Sequence, residues 1–182
     1  MLAPSDFVVS DPDAWVKSDK TGRLDLVRTS KYSPPHRSPV SLAILEGQEW
    51  ASFELEVQAR STGRVYGHQD LCLIFGYQDP AHFYYVHLAP APDAHAHNIF
   101  LVDGAARRAL LPIPEYGLDW GRDWHSLRLV RDGEEGSVAV FVDGAAVPVL
   151  ETVDLTFPKG AIGVGSFDDT GDFRDMRLRV SR

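Results

Sequence analysis

The strictest constraint in this chain is a period of two. Between Trp50 and Arg60, Phe53, Leu55, Val57 and Ala59 fall on one side, and Ser52, Glu54, Glu56 and Gln58 on the other. Successive side chains of an extended strand point to opposite faces, so this stretch is a strand with one face in a core and one in water. Stretches rich in branched and aromatic residues continue the theme at Leu71–Tyr77, Phe83–Leu88, Asn98–Val102, Leu127–Val130, Val138–Val142, Ala161–Ser166 and Met176–Val180. Weaker candidates lie at Phe7–Val9, Leu24–Arg28, Ser41–Leu45 and Val147–Leu150. Turn chemistry separates them: Asp79-Pro80, Asp103-Gly104, Asp132-Gly133, Asp143-Gly144, Pro158-Lys159-Gly160 and Thr170-Gly171. No stretch keeps a helical apolar period, and 12 prolines and 15 glycines are spread along the chain. Many short strands with regular turns predict an all-β chain, a two-sheet antiparallel jelly-roll β-sandwich forming one domain over residues 1–182.

Charge narrows the partners. The formal net charge is −8, which disfavours nucleic acid and anionic membrane surfaces, both of which need clustered Lys and Arg. Cys72 is the only cysteine, so no intramolecular disulfide forms. No apolar run approaches the roughly 18 residues of a membrane span. The opening Met1–Asp6 has neither a basic n-region nor an apolar h-region. The expectation is a cytoplasmic protein, or a secreted or periplasmic one whose signal peptide was removed.

The segments 70–77 and 82–88 should pair as a hairpin, with Gln78–Ala81 as its loop and Tyr77 opposite His82. Phe75 then opposes Tyr84, and Cys72 opposes His87. One face reads Leu71, Leu73, Phe75, Tyr84, Val86 and Leu88, a core face. The other reads Asp70, Cys72, Ile74, Phe83, Tyr85 and His87. Aromatic rings stack on sugar rings, and Asp, His, Asn and Arg bond to hydroxyls. This second face is therefore expected to be an open groove holding a polysaccharide or oligosaccharide, with Arg64, Tyr66, Phe83, His97 and Asn98 as ligand contacts. If the groove is catalytic, His87, Tyr85, His68 and Asp70 are the groups that carry the reaction. In a polysaccharide lyase His87 or His68 is the base, Tyr85 the acid and Arg64 the carboxylate clamp. The pair of free carboxylates that glycoside hydrolysis needs is missing from this face. His95 and His97 form an H-x-H pair with no evident third metal ligand.

Trp124-His125-Ser126-Leu127 through Asp132-Gly133, followed by Ser137–Val142 and Asp143-Gly144, resembles the core hairpin of the concanavalin A-like, laminin G-like jelly rolls. The tail Gly160–Phe167, then Phe173–Leu178, resembles the closing strands of that superfamily. Residues 67–70 and 83–88 resemble a bacterial subgroup of glycan-degrading proteins. The resemblance implies a concanavalin A-like sandwich, with lectins, adhesion modules, hydrolases and lyases all among its functions. It also implies a structural Ca2+ near Asp175, with Asp6 as partner. Three functions stay open: glycan binding, glycan cleavage, and a laminin G-like protein-interaction module.

Overall fold

The computed structural model describes residues 1–180. Fourteen strands follow a single 3-10 turn at Pro4–Asp6. They are β1 (Phe7–Val9), β2 (Trp15–Ser18), β3 (Arg23–Leu26), β4 (Ser41–Trp50), β5 (Phe53–Ser61), β6 (Leu71–Asp79), β7 (His82–Leu88), β8 (Asn98–Asp103), β9 (Arg108–Ala109), β10 (His125–Arg131), β11 (Ser137–Val142), β12 (Leu150–Val153), β13 (Gly160–Ser166) and β14 (Gly171–Val180). They form two antiparallel sheets of 7 strands each. The first runs β1-β4-β13-β6-β7-β8-β9 and the second β12-β11-β10-β5-β14-β3-β2. The expected all-β sandwich is what the chain forms.

The alternation in β5 is realised as read. Phe53, Leu55, Val57 and Ala59 are buried, and they meet Leu71, Leu73, Phe75, Tyr84 and Val86 from the first sheet in one shared core. The opposite face of β5 carries Glu54 and Glu56, which take Arg179 and Arg128 as partners at 2.6–3.2 Å. Such exposed pairs contribute little stability each; the buried apolar area between the sheets holds the fold together.

The sequence pattern misses β2 and β9. Only Trp15 of β2 is buried, and both residues of β9 are exposed, so neither edge strand shows alternation. β12 begins at Leu150 rather than Val147, which is exposed.

The β6–β7 hairpin keeps the expected register from Leu71↔Leu88 to Phe75↔Tyr84, and then departs from it. His82 pairs with Asp79, not Tyr77. The cause is Gly76, at φ +56°. A left-handed residue in mid-strand inserts a bulge and shifts the parity of every side chain after it. A Cβ at Gly76 would sit 2.9 Å from a ring carbon of Tyr84, so glycine alone fits. Tyr77, which unbroken alternation would put on the same face as Phe75, therefore turns outward.

Candidate functional site

The face expected to be an open groove is closed. Cys72, Ile74, Phe83 and Tyr85 join Leu42, Ile44, Phe100 and Val102 in a second buried apolar cluster on the outer side of the first sheet. Phe83 and Tyr85 are fully buried, and His87 is 3% exposed. Covering this cluster are Tyr32, from the segment between β3 and β4, and the side chains of Arg107 and Phe167. So many apolar groups cannot face water cheaply, and the loops fold over them. Hairpin parity identifies which residues share this face but says nothing of what lies on top.

Most polar groups within the closed face find partners inside it. The Arg107 guanidinium stacks on Phe100 at 4.5 Å and on Phe167 at 4.3 Å, and donates to Tyr85 Oη at 2.7 Å. It also donates to His87 Nδ1 at 3.3 Å. A guanidinium only donates, so Nδ1 accepts and the imidazole proton sits on Nε2. Nε2 is buried without a partner. Burial, helped by the Arg107 charge, pushes the His87 pKa down to about 3. Burial also pushes the Tyr85 hydroxyl well up. Asp70 is raised to about 7, chiefly by burial, although it accepts from the Phe167 amide at 2.7 Å, Ser166 Oγ at 3.0 Å and Cys72 Sγ at 3.2 Å.

Asp70, Cys72 and His87 offer donor atoms within 4.8 Å of one another. Cys72 is held as a thiol by burial and by the Asp70 charge, and His87 Nε2 carries its proton. The trio has the spacing of a metal set, with a thiol and an imidazole N–H whose protons a metal would have to displace. Asp70 fastens the turn after β13.

The other expected residues scatter. Exposed His68 meets Asp93 at 2.5 Å. Arg64 lies over the Tyr66 ring at 4.5 Å, and Tyr66 Oη donates to Asp169 at 2.8 Å. His97 is buried, its Nδ1 accepting from the Ala89 amide at 3.3 Å, while His95 is exposed, so the H-x-H pair diverges. Asn98 clamps the backbone of Leu111 through both ends of its amide. The first residues do meet the last strand, with Leu2 N donating to Met176 O at 2.8 Å. Asp6 and Asp175, however, belong to no three-donor cluster among the described residues. The acidic cluster that does form is Asp70, Asp168 and Asp169. Most of its inner oxygens already accept bonds from Ser166, Phe167, Tyr66 and the Asp70 amide. Calcium wants six to eight oxygens, and this set does not fit it.

What stays open is the other end of the same face. β4 carries its own left-handed glycine, Gly47 at φ +84°, and its pairing with β13 skips between Gly160 and Ile162. Between this irregularity and the Gly76 bulge lies a cleft of about 530 Å³, lined by Glu46, Gly47, Gln48, Glu49, Tyr77, Gln78, Asp79, Pro80 and Ala161. A narrower cleft of about 160 Å³ adjoins it and is floored by Val9, Leu42 and Ile44, with Tyr32 and Tyr77 at its sides. The Tyr77 ring is half-buried and tilts against Phe83 at 5.6 Å. Burial, with Tyr32, Glu46 and Asp79 nearby, raises its hydroxyl to about 12, so it stays protonated. Glu49 is paired with Lys159 at 2.7 Å. Asp79 accepts from the Ala81 amide at 2.7 Å and faces the His82 ring at 2.9 Å. Against the pull of desolvation, these bonds hold Asp79 below the usual carboxylate range. Glu46 has no ion-pair partner among the described residues. None of these residues emerges from strand parity. The signal that points to them is Gly76 inside the Leu71–Tyr77 strand pattern, the mark of a bulge.

No protein-family model and no curated sequence matches the chain. Solved structures do. The carbohydrate-binding module CBM66 from Bacillus subtilis superposes with a TM-score of 0.65 at 13% identity, over 96% of this chain and 95% of that one. The GH43 protein BlXynB from Bacillus licheniformis gives 0.64 at 13% identity, over 97% of this chain but only 37% of that one. The lumenal domain of VIP36, with Ca2+ and Man bound, gives 0.60 at 14% identity, over 97% and 82%. Identities this low speak for the fold alone. The chain has a concanavalin A-like jelly-roll fold, two antiparallel sheets packed as a β-sandwich.

Proposed function

We propose that this domain is a non-catalytic glycan-binding module that seats a sugar chain in the cleft between the Gly47 and Gly76 bulges. The observation that carries the reading is the half-exposed Tyr77 ring, set in a cleft rimmed by Glu46, Gln48, Gln78 and Asp79. A ring face stacks on the C–H face of a pyranose, while carboxylates and amides accept from and donate to its hydroxyls. At about 530 Å³ the cleft falls in the size range of small-ligand sites. Structural likeness to a carbohydrate-binding module and to a mannose-bound lectin supports the reading.

Binding ranks above catalysis because of access and charge. A general base must come within hydrogen-bond reach of its substrate, and His87, Tyr85 and Asp70 are sealed. In the cleft, Asp79 and Glu49 are already paired, leaving Glu46 without the second free carboxylate of a hydrolase. The test is calorimetric titration with gluco-, manno-, xylo- and fructo-oligosaccharides. Tyr77→Ala should weaken binding by about tenfold or more, and Tyr77→Phe should preserve it. Reducing sugar released in a manner dependent on Glu46 would overturn the non-catalytic reading.

A protein-interaction module is the second reading. It is favoured by the exposed Tyr116 and Val149, which line an apolar cleft of about 350 Å³ far from Tyr77 in sequence. Glycan affinity that Tyr77→Ala removes would set it aside.

A further inference from the structure

Arg37 and Arg107 are set side by side by the backbone itself, the Arg107 amide donating to the Arg37 carbonyl at 3.1 Å. Both guanidinium groups lie over the same half-exposed ring, Phe167, at 4.3 Å for Arg107 and 5.9 Å for Arg37. Among the described residues neither has a carboxylate within 4.0 Å. The hydrogen-bond partners of Arg107, Tyr85 Oη and His87 Nδ1, are neutral. Only Nη1 of Arg107 is engaged there, and no nitrogen of Arg37 has a protein partner among the described residues. Their remaining N–H groups are not among the buried orphans. Two like charges over one ring, neither in contact with a carboxylate, repel each other in the free protein, and a bound anion offsets that cost. Guanidinium is the group that grips a carboxylate or sulfate with two parallel bonds.

The pair is also placed to serve the cleft. The segment bearing Arg37 carries Tyr32 five positions earlier, and Tyr32 lines the narrow cleft beside Tyr77. One loop thus runs from the aromatic cleft to the arginine pair. The charges at its two ends differ in sign: Glu46, Glu49 and Asp79 at the cleft, Arg37 and Arg107 over Phe167. A polymer charged on every unit would be repelled at the first end. A glycan with one acidic unit and neutral neighbours fits both.

We infer that the ligand is a sparsely charged glycan whose carboxylate or sulfate ester is held by Arg37 and Arg107 while neutral units occupy the Tyr77 cleft. This rests on the glycan-binding reading of the same face and adds the class of sugar. The test titrates the whole domain with three versions of each oligosaccharide: neutral, bearing one uronate, and bearing one sulfate. A homopolyuronate is the fourth probe. Wild type should bind one of the singly charged versions about tenfold or more tighter than the neutral one, and the version preferred identifies the anion. The advantage should shrink with added salt and vanish in Arg37→Ala, an exposed position whose truncation leaves the core intact. Arg107→Met, checked for folding by circular dichroism, should lose it too. In both variants affinity for the neutral version should hold. Equal affinity for neutral and charged versions, or homopolyuronate binding best, would overturn the inference while leaving glycan binding standing. Silence toward every sugar would overturn the glycan reading and this inference with it.

Discussion

Tyr77 reaches the outer face only because Gly76 adopts φ +56° in mid-strand. Gly76→Ala forces a side chain into the left-handed region and toward Tyr84, 2.9 Å from the new Cβ. The cost should be about 1–3 kcal/mol, read as a fall in Tm of roughly 2–4 °C per kcal/mol for a domain of this size. Because the bulge also sets the parity of Tyr77, the same variant should lose sugar affinity. A variant that melts earlier yet binds as before would show that Tyr77 is not the platform. At the Asp70–Asp168–Asp169 cluster, protein donors already take up most inner oxygens. Excess Ca2+ against EDTA should therefore leave Tm unchanged, and a rise of several degrees would restore the calcium reading.

At the scale of elements, β6 shows how far local pattern carries. The residues up to Phe75 follow the simple alternation, and their pairing with β7 was readable from it. Beyond Gly76 the alternation fails, and with it the placement of the one aromatic that faces solvent in the cleft. Alternation puts Phe83, Tyr85 and His87 on the correct side of the sheet, but that side is buried rather than open. Parity says which side a residue takes, and the long segment between β3 and β4, together with Arg107 and Phe167, decides that this side is covered. Removing that cover has a predictable effect. Phe167→Ala exposes Arg107 and the apolar cluster beneath it, and should cost about 2–4 kcal/mol and bring on binding of a hydrophobic dye. An unchanged Tm would mean that Phe167 does not help seal the face.

For the whole molecule, two buried groups give opposite pH limbs. Asp70 is raised from 3.8 to about 7 in the folded protein. Its contribution is whole below the unfolded value and is lost as pH rises toward 7. His87 is lowered from 6.5 to about 3. Its contribution is whole above 6.5 and is lost as pH falls toward 3. Thermal unfolding across pH should show His87→Gln flattening the acid limb and Asp70→Asn flattening the decline toward neutral pH. Identical profiles for both variants and wild type would mean that neither group is buried as described. With inward residues of both sheets in one core, unfolding should be a single transition with calorimetric and van't Hoff enthalpies in agreement.

Period-two alternation, turn residues and the absence of helical periodicity determined the all-β sandwich, most of its strands and the first half of the β6–β7 register. These are local properties, written in the spacing of apolar residues and in the φ preferences of Gly, Pro and Asp. What only the tertiary structure decided is which part of the outer face sees solvent. That depends on residues far apart in the chain coming together, such as Arg37 with Arg107 and Tyr32 and Tyr77 on one apolar cluster, which no local periodicity encodes. The closed groove, the open cleft and the paired arginines all follow from those contacts.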